Sequence, residues 1–338
     1  MSRPALPLVS VLLPAFNAHR TLEACLRSIE RQSWRRWECI LVDDGSTDAT
    51  ANLAREQARR DSRLIVIRTS HRGLLAALNT GLPHCRGEYV ARMDADDLMH
   101  RLRLEEQVSM LETRPELSAV GCHVRMFPRS RVSAGYSEYE TWLNSIDTAE
   151  RVARDAFIEC PVAHPTLMLR RARLTALGYR DRGWPEDYDL VLRLITGGEK
   201  IGIVPRRRLL WRRGPDTLSM TAPEYATERF TACKASFLAE SFLARTENYI
   251  LWGYGGTGRA LRRALAALGR FPSHILELHP GRLGNRIHGA PVVSPSELPR
   301  LVRQPVVVSV AGAGPRSEIR QRLTDMGFTE SRDYVCAA

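Results

Sequence analysis

Three carboxylates crowd into Asp94-Ala95-Asp96-Asp97, directly after Gly87-Glu88-Tyr89-Val90-Ala91-Arg92-Met93, which reads as a strand that starts polar and turns apolar. The C-terminal ends of strands in open α/β sheets are where ligand sites usually form. Crowded carboxylates repel one another, and holding them ionised is costly unless a cation offsets them. Hard oxygen ligands suit Mg²⁺ or Mn²⁺, ions that keep waters and bind substrate phosphates. A solvated acidic loop has the same D-x-D spacing, so the motif needs its neighbours to acquire meaning.

Three further segments supply that context. Val9-Ser10-Val11-Leu12-Leu13-Pro14-Ala15-Phe16-Asn17 is an apolar strand ended by Pro14. Cys39-Ile40-Leu41-Val42-Asp43-Asp44-Gly45-Ser46-Thr47-Asp48 is a second strand, ending in acids, a glycine and hydroxyls. Farther on lies Trp184-Pro185-Glu186-Asp187-Tyr188-Asp189-Leu190. Together and in this order, the four segments resemble the family 2 glycosyltransferases, over roughly residues 7 to 220. That resemblance implies a GT-A fold and a nucleotide-sugar donor.

A βαβ rhythm positions these motifs. Strands are expected at 8–13, 38–43, 64–67 and 88–93, and helices near 20–32, 48–60, 73–81 and 101–113. Leu22, Leu26 and Ile29 give the first helix an apolar stripe, and Ser46, Thr47 and Asp48 are capping residues for the second. In the fourth, Arg101, Arg103, Glu105 and Glu106 predict an exposed charged side. Strands alternating with helices imply an α/β fold with a mostly parallel sheet. Tyr136, Tyr139 and Trp142, placed before an acidic helix, fit either a stacking platform for a sugar or helix packing.

The chain divides by character into a GT-A domain at 1–222, a helical linker at 223–248 and a Rossmann-like domain at 249–338. Pro223 to Leu243 reads as one helix, and Arg245-Thr246-Glu247-Asn248 as a polar hinge. Beyond it Tyr249-Ile250-Leu251-Trp252 leads into Gly253-Tyr254-Gly255-Gly256-Thr257-Gly258 and a helix through Leu268. That is G-x-G-x-x-G between strand and helix, and Gly253, Gly255 and Gly258 would let a phosphate approach the helix N-terminus. Glu277, in the next strand at 275–278, lies where an acid would meet a ribose; Val306–Val310 and the helix from Arg316 complete the unit. This part resembles the nucleotide-sugar-binding domain at the front of bacterial sugar acyltransferases; plain strand–helix packing is the alternative use of its glycines.

Composition bounds the remaining classes. At 338 residues, with 44% hydrophobic content and mean hydropathy of -0.26, the chain has ample material for a large core. No apolar run approaches a membrane span, the start lacks a signal peptide's apolar region, and the seven cysteines are scattered without a C-x-x-C pair. A cytoplasmic protein with reduced core cysteines is expected. The net charge of +11 comes almost wholly from arginine, with Lys200 and Lys234 the only lysines, which reads as coding bias. No nucleic-acid partner is expected, whereas peripheral contact with the inner membrane face stays open.

The family resemblance assigns roles residue by residue. It places Pro14, Ala15, Asn17, Asp43 and Asp44 around the nucleotide, with Asp43 or Asp44 accepting from the N–H of uracil or a similar base. Asp96 is expected to reach the donor diphosphate through Mg²⁺ or Mn²⁺, Asp94 lies nearer the ribose, and Arg92 adds a fixed positive charge. Asp187, second in the Glu-Asp pair, is the implied general base, with Glu186 on the acceptor side; first-turn acids favoured by the helix dipole are the competing reading, preferred for Asp189. His164 in Cys160-Pro161-Val162-Ala163-His164-Pro165-Thr166 is either an acceptor-side or a structural histidine. Family members often carry a histidine after the base-bearing helix; here Trp211-Arg212-Arg213-Gly214 offers Arg212 and Arg213 for the phosphates instead. The implied reaction is inverting transfer from a nucleoside diphosphate sugar, UDP-sugar favoured, to a saccharide or lipid-linked hydroxyl in cell-surface glycoconjugate assembly. A non-catalytic nucleotide-sugar sensor or scaffold is the competing class.

Overall fold

Every residue of β1 (Val9–Ala15) and β2 (Trp37–Asp43) is buried, as strands covered on both faces must be. In the computed structural model, which describes residues 6–214, 217 and 222–338, they belong to an eight-stranded mixed sheet. Its other strands are β3 (Leu64–Arg68), β4 (Tyr89–Arg92), β5 (Leu98–Met99), β6 (Leu117–Phe127), β7 (Met168–Arg170) and β8 (Lys200–Arg212). Side by side they run β3-β2-β1-β4-β7-β6-β8-β5. The βαβ half, β3-β2-β1-β4, is parallel; β7 then runs antiparallel to β4 and β6, and β5 antiparallel to β8.

The first helices are α1 (Leu22–Glu30), α2 (Thr50–Arg60), α3 (Leu74–Gly81) and α4 (Arg103–Thr113). Val9, Val11, Leu13, Leu41, Ala91, Met93, Leu104 and Val120 are among the side chains of the core they share with the sheet. α3 sits so close to β1 and β2 that a Cβ on Gly81 would lie 2.5 Å from Leu12 Cδ1 and 2.8 Å from Val42 Cγ2. One expectation fails in α4. Arg103 is fully buried, not part of an exposed charged side. Its guanidinium donates to the Arg92 carbonyl (2.9 Å) and to Gln107 Oε1 (3.1 Å), and Gln107 in turn donates to the carbonyls of Val120 (2.9 Å) and Thr166 (2.7 Å). The charge is retained inside because its donors are met by the Arg92 carbonyl at the end of β4 and by Gln107.

Downstream come α5 (Ala134–Leu143), α6 (Ala149–Asp155), α7 (Arg171–Leu177) and α8 (Glu186–Thr196). Tyr136, Tyr139 and Trp142 lie within α5, ahead of α6, and Tyr139 and Trp142 pack against the core, as in the helix-packing alternative. The chain's contacts define two compact units, and the division is not a single cut. Ala153–Pro161 and Gly183–Leu192 group with Thr221–Ala338 to form the second unit.

That unit holds a six-stranded sheet of β9 (Asn248–Trp252), β10 (Phe271–Leu276), β11 (Arg286–Ile287), β12 (Ala290–Val293), β13 (Val306–Val308) and β14 (Tyr334–Cys336). The order is β11-β12-β10-β9-β13-β14, all parallel except the β11–β12 pair. Strand order reverses at β9, with later strands added first on one side and then on the other, which makes a topological switch point. The helices are α9 (Thr227–Glu240), α10 (Gly256–Ala266) and α11 (Ala313–Asp325). Residues 223–243 are not one helix: Pro223–Tyr225 is a separate 3₁₀ turn, Ala226 is extended (φ -63°, ψ 146°), and Phe242 lies beyond the helix end. β10 starts earlier than 275 and ends before Glu277; Pro272 obscured it, and a register shift between Pro272 and His274 absorbs the missing donor.

Candidate functional site

Pro14 and Ala15 end β1 in register with Val42 and Asp43 of β2, which brings the two following loops together. Asn17, at φ +48°, stitches them: its N–H donates to Ser46 Oγ (3.0 Å) and its Oδ1 accepts from the Thr47 N–H (2.9 Å). Asp43 Oδ1 accepts from the Ser46 N–H (3.1 Å), and Oδ2 lies 3.2 Å from Arg68 Nε. Asp44 is more fully committed. Its oxygens accept from the N–H groups of Arg72 (3.0 Å) and Gly73 (2.8 Å) and from Thr69 Oγ1 (3.3 Å), and lie 2.8 Å from His71 Nδ1. These four partners match the roughly four lone-pair sites of a carboxylate, so Asp44 shapes the 69–73 turn. Phe16, 44% exposed, stacks on His71 with ring centroids 3.9 Å apart.

Asp94, Asp96 and Asp97 bring one oxygen each within 4.8 Å of one another, just past β4. Arg92, itself buried, pairs with Asp94, whose backbone carbonyl accepts from the Cys25 thiol. Burial, then the charge of Asp94, pushes the Asp96 carboxyl up to about 6. Burial drives Asp97 well above the usual carboxylate range, with Asp94 and Asp96 adding to it. Asp97 Oδ1 accepts the Arg212 N–H at 2.6 Å, whereas its buried Oδ2 has no hydrogen-bond partner. Three oxygen ligands, an orphaned carboxylate oxygen and upward-shifted acids fit a hard divalent cation. The sequence counted Asp97 among the three crowded carboxylates but gave it no role of its own. The strand Leu98–Met99, which ties the loop to Leu209–Leu210 of β8, gives too short a pattern to have exposed its burial.

The same pairing delivers two arginines to the acidic loop. Arg212 Nε donates to the Asp96 carbonyl (2.6 Å), and its guanidinium lies over Phe127, 4.4 Å from the ring centroid. Arg213 is buried beside the rings of Tyr136 and Trp211, and burial lowers its pKa. His164 is also buried, with Nε2 3.1 Å from Tyr179 Oη. The Tyr179 backbone is held in turn by the Asn79 side-chain amide.

In the second unit, Glu186 and Asp187 open α8. Glu186 is buried and accepts from Tyr225 Oη (2.7 Å); Asp187 is half-buried, and its Oδ1 accepts the Tyr188 N–H (2.7 Å). Asp189 is fully buried and accepts from Trp184 Nε1 (3.1 Å), which anchors the start of the helix. At the switch point, Gly253 has φ +95°, and a Cβ on Gly258 would lie 2.4 Å from the Gly253 carbonyl. Those two glycines let α10 close on β9, while the space around Gly255 and Gly256 is open. Glu277 pairs with Arg282 (2.8 Å) and accepts from the Leu278 N–H, so its carboxylate already has partners.

The first unit brings the loops after β1 and β2 together and sets a carboxylate cluster just past β4, a GT-A-like arrangement. Residues 10–176 match the family described as "Glycosyl transferase family 2". The "Putative glycosyltransferase EpsE" of Bacillus subtilis is 37% identical over 199 residues, covering 57% of this chain and 68% of that protein. The "Amylovoran biosynthesis glycosyltransferase AmsE" of Erwinia amylovora is 30% identical over 214 residues, covering 62% and 78% respectively. S. aureus TarS 1–349 in complex with UDP-GlcNAc superposes with a TM-score of 0.57 at 16% identity, covering 69% of this chain and 67% of that one, and shares the fold. The chain belongs to glycosyl transferase family 2 and is a glycosyltransferase.

Proposed function

We propose that the chain transfers a sugar, with inversion, from a nucleoside diphosphate sugar to a hydroxyl of a saccharide or lipid-linked acceptor. The acidic cluster carries this reading, because crowded carboxylates call for a divalent cation to offset them, and such a cation would attract the donor diphosphate. TarS 1–349 was solved with UDP and with UDP-GlcNAc, which favours a UDP-sugar donor here, and the name of AmsE supports a role in surface polysaccharide assembly. Asp94, Asp96 and Asp97 would hold Mg²⁺ or Mn²⁺. Such an ion supplies Lewis-acid stabilisation of the departing diphosphate.

The protein's own groups do the rest. Pro14, Ala15, Asn17 and Asp43 line the base site, and Asp43 is the better acceptor for a base N–H because Asp44 is occupied by its own turn. Arg212 and Arg213 neutralise the diphosphate as it leaves with the electron pair of the broken anomeric C–O bond. Asp187 takes the acceptor proton as the new C–O bond forms on the opposite face, which inverts the anomeric centre. Glu186, held by Tyr225, supports the acceptor side. For Gly253, Gly255 and Gly258 a nucleotide cradle is the reading: the open space at Gly255 and Gly256 supports it, and the Glu277–Arg282 pair speaks against a ribose contact. Peripheral attachment to the inner membrane face would suit a lipid-linked acceptor. No helix among the described residues is long and apolar enough to cross a membrane.

Single-turnover transfer at saturating donor tests the reading. Asp187→Asn keeps size and donor affinity but lowers transfer by about 10²–10⁴-fold, the usual worth of a general base. Near-normal transfer by this variant refutes the assignment, and lost donor binding makes Asp187 a donor-site residue.

A further inference from the structure

We propose that Tyr136 and Trp211 are positioning residues, holding the Arg213 guanidinium at the acidic loop so that it meets the terminal phosphate of a bound nucleoside diphosphate. The proposal rests on the donor reading above. Arg213 Cζ lies 4.3 Å from the Tyr136 ring centroid and 3.9 Å from that of Trp211, and the residue is 5% exposed. The two rings come from α5 and β8, so tertiary structure builds the clamp rather than a local run of sequence. Tyr139 backs Trp211 at 6.4 Å and Trp142 at 5.7 Å, and all three pack against the core. The Arg213 N–H donates to the Phe127 carbonyl at 2.8 Å, which fixes the backbone on which the guanidinium is mounted.

Placement relative to the donor follows from the neighbouring residue. Arg212, the residue before Arg213, donates its N–H to Asp97 Oδ1 and its Nε to the Asp96 carbonyl, both at 2.6 Å, so the clamped cation is mounted one residue from the cluster. A guanidinium stacked against aromatic faces keeps in-plane donors for a phosphate, and its planar fork is already ordered. Pre-ordering reduces the freedom lost on binding, and it favours the ligand that carries the additional phosphate. The clamp therefore sets discrimination between nucleoside diphosphate and monophosphate, a property that general scaffolding does not select.

Calorimetry with Mn²⁺ present, comparing UDP with UMP and GDP with GMP, reads this discrimination directly. In Tyr136→Leu and Trp211→Leu the diphosphate preference falls about tenfold while monophosphate affinity stays within about twofold, the scale of a lost cation–π contact. Tyr136→Phe keeps the π face and restores the ratio lost in Tyr136→Leu. Arg213→Lys keeps charge but loses the fork, so it gives the same ratio loss should a leucine variant fold poorly. If wild type binds a diphosphate and the ratio is unchanged in folded variants, or both nucleotides weaken equally, the clamp is overturned alone. If wild type binds neither diphosphate, the donor reading falls and the clamp falls with it.

Discussion

Asp96 ionises against its surroundings, and the direction of that opposition fixes a pH dependence. Its folded pKa, about 6, lies above the ordinary carboxylate value, with burial as the first cause. A raised carboxylate contributes stability at low pH, and that contribution is lost as pH rises through the folded value. The metal-free protein should therefore lose on the order of 2 kcal/mol at this residue between pH 4 and 7. Asp96→Asn should flatten that segment of the melting-temperature profile, and Mn²⁺ should raise the melting temperature more at pH 7 than at pH 5. Parallel profiles for wild type and Asp96→Asn would contradict the electrostatics. At this scale the sequence was informative where charges crowd in a motif, as at Asp94 and Asp96, which the fold brings together. It gave no sign that Asp97 is buried and was misleading on Arg103, because burial of a charge depends on which polar partners tertiary packing brings to it.

Among the elements, α1 to α4 and β1 to β4 were legible because apolar runs and their alternation agreed with one another; the expected hydroxyl capping failed, since Ala49 is the N-cap of α2 without a side-chain cap and Ser46 Oγ accepts from the Asn17 N–H instead. β10 and the break before α9 were not legible. Pro272 and the bulge beside it break the apolar pattern that marks a strand, so only its end was visible, and the apolar spacing from Tyr225 to Phe242 crossed an extended residue unseen. α9 also carries a test of its own. Lys234 is buried and donates to the carbonyls of Ile158 (2.9 Å) and Ala337 (2.8 Å), and burial lowers its pKa to about 8. Unfolded lysine keeps its proton to about 10.4, so between these values the unfolded state binds more protons and stability rises with pH. Lys234→Met should abolish that rise and, by stranding two carbonyls, cost about 1–3 kcal/mol. Denaturant titrations at pH 7 and 9.5 check both, and an undiminished rise in the variant would assign it to another group.

For the whole molecule, the division into units changes what a truncation means. Deleting residues 249–338 removes not only a nucleotide-binding candidate but most of the unit to which Glu186 and Asp187 belong. Ile158 packs on that unit's core, and Tyr188 contacts both the Ala156 carbonyl and Phe230. The truncated chain should keep donor binding and lose transfer; full transfer by a folded truncation would separate the base from the second unit. The central claim concerns the first unit: a divalent ion and a nucleoside diphosphate bind there together, joined at Asp96. Isothermal titration of UDP or GDP with Mn²⁺, with EDTA, and against Asp96→Ala measures it most directly. The account predicts tight binding with the ion, weak binding with EDTA, and no response to the ion in Asp96→Ala. Equal nucleotide affinity with and without the ion would contradict it.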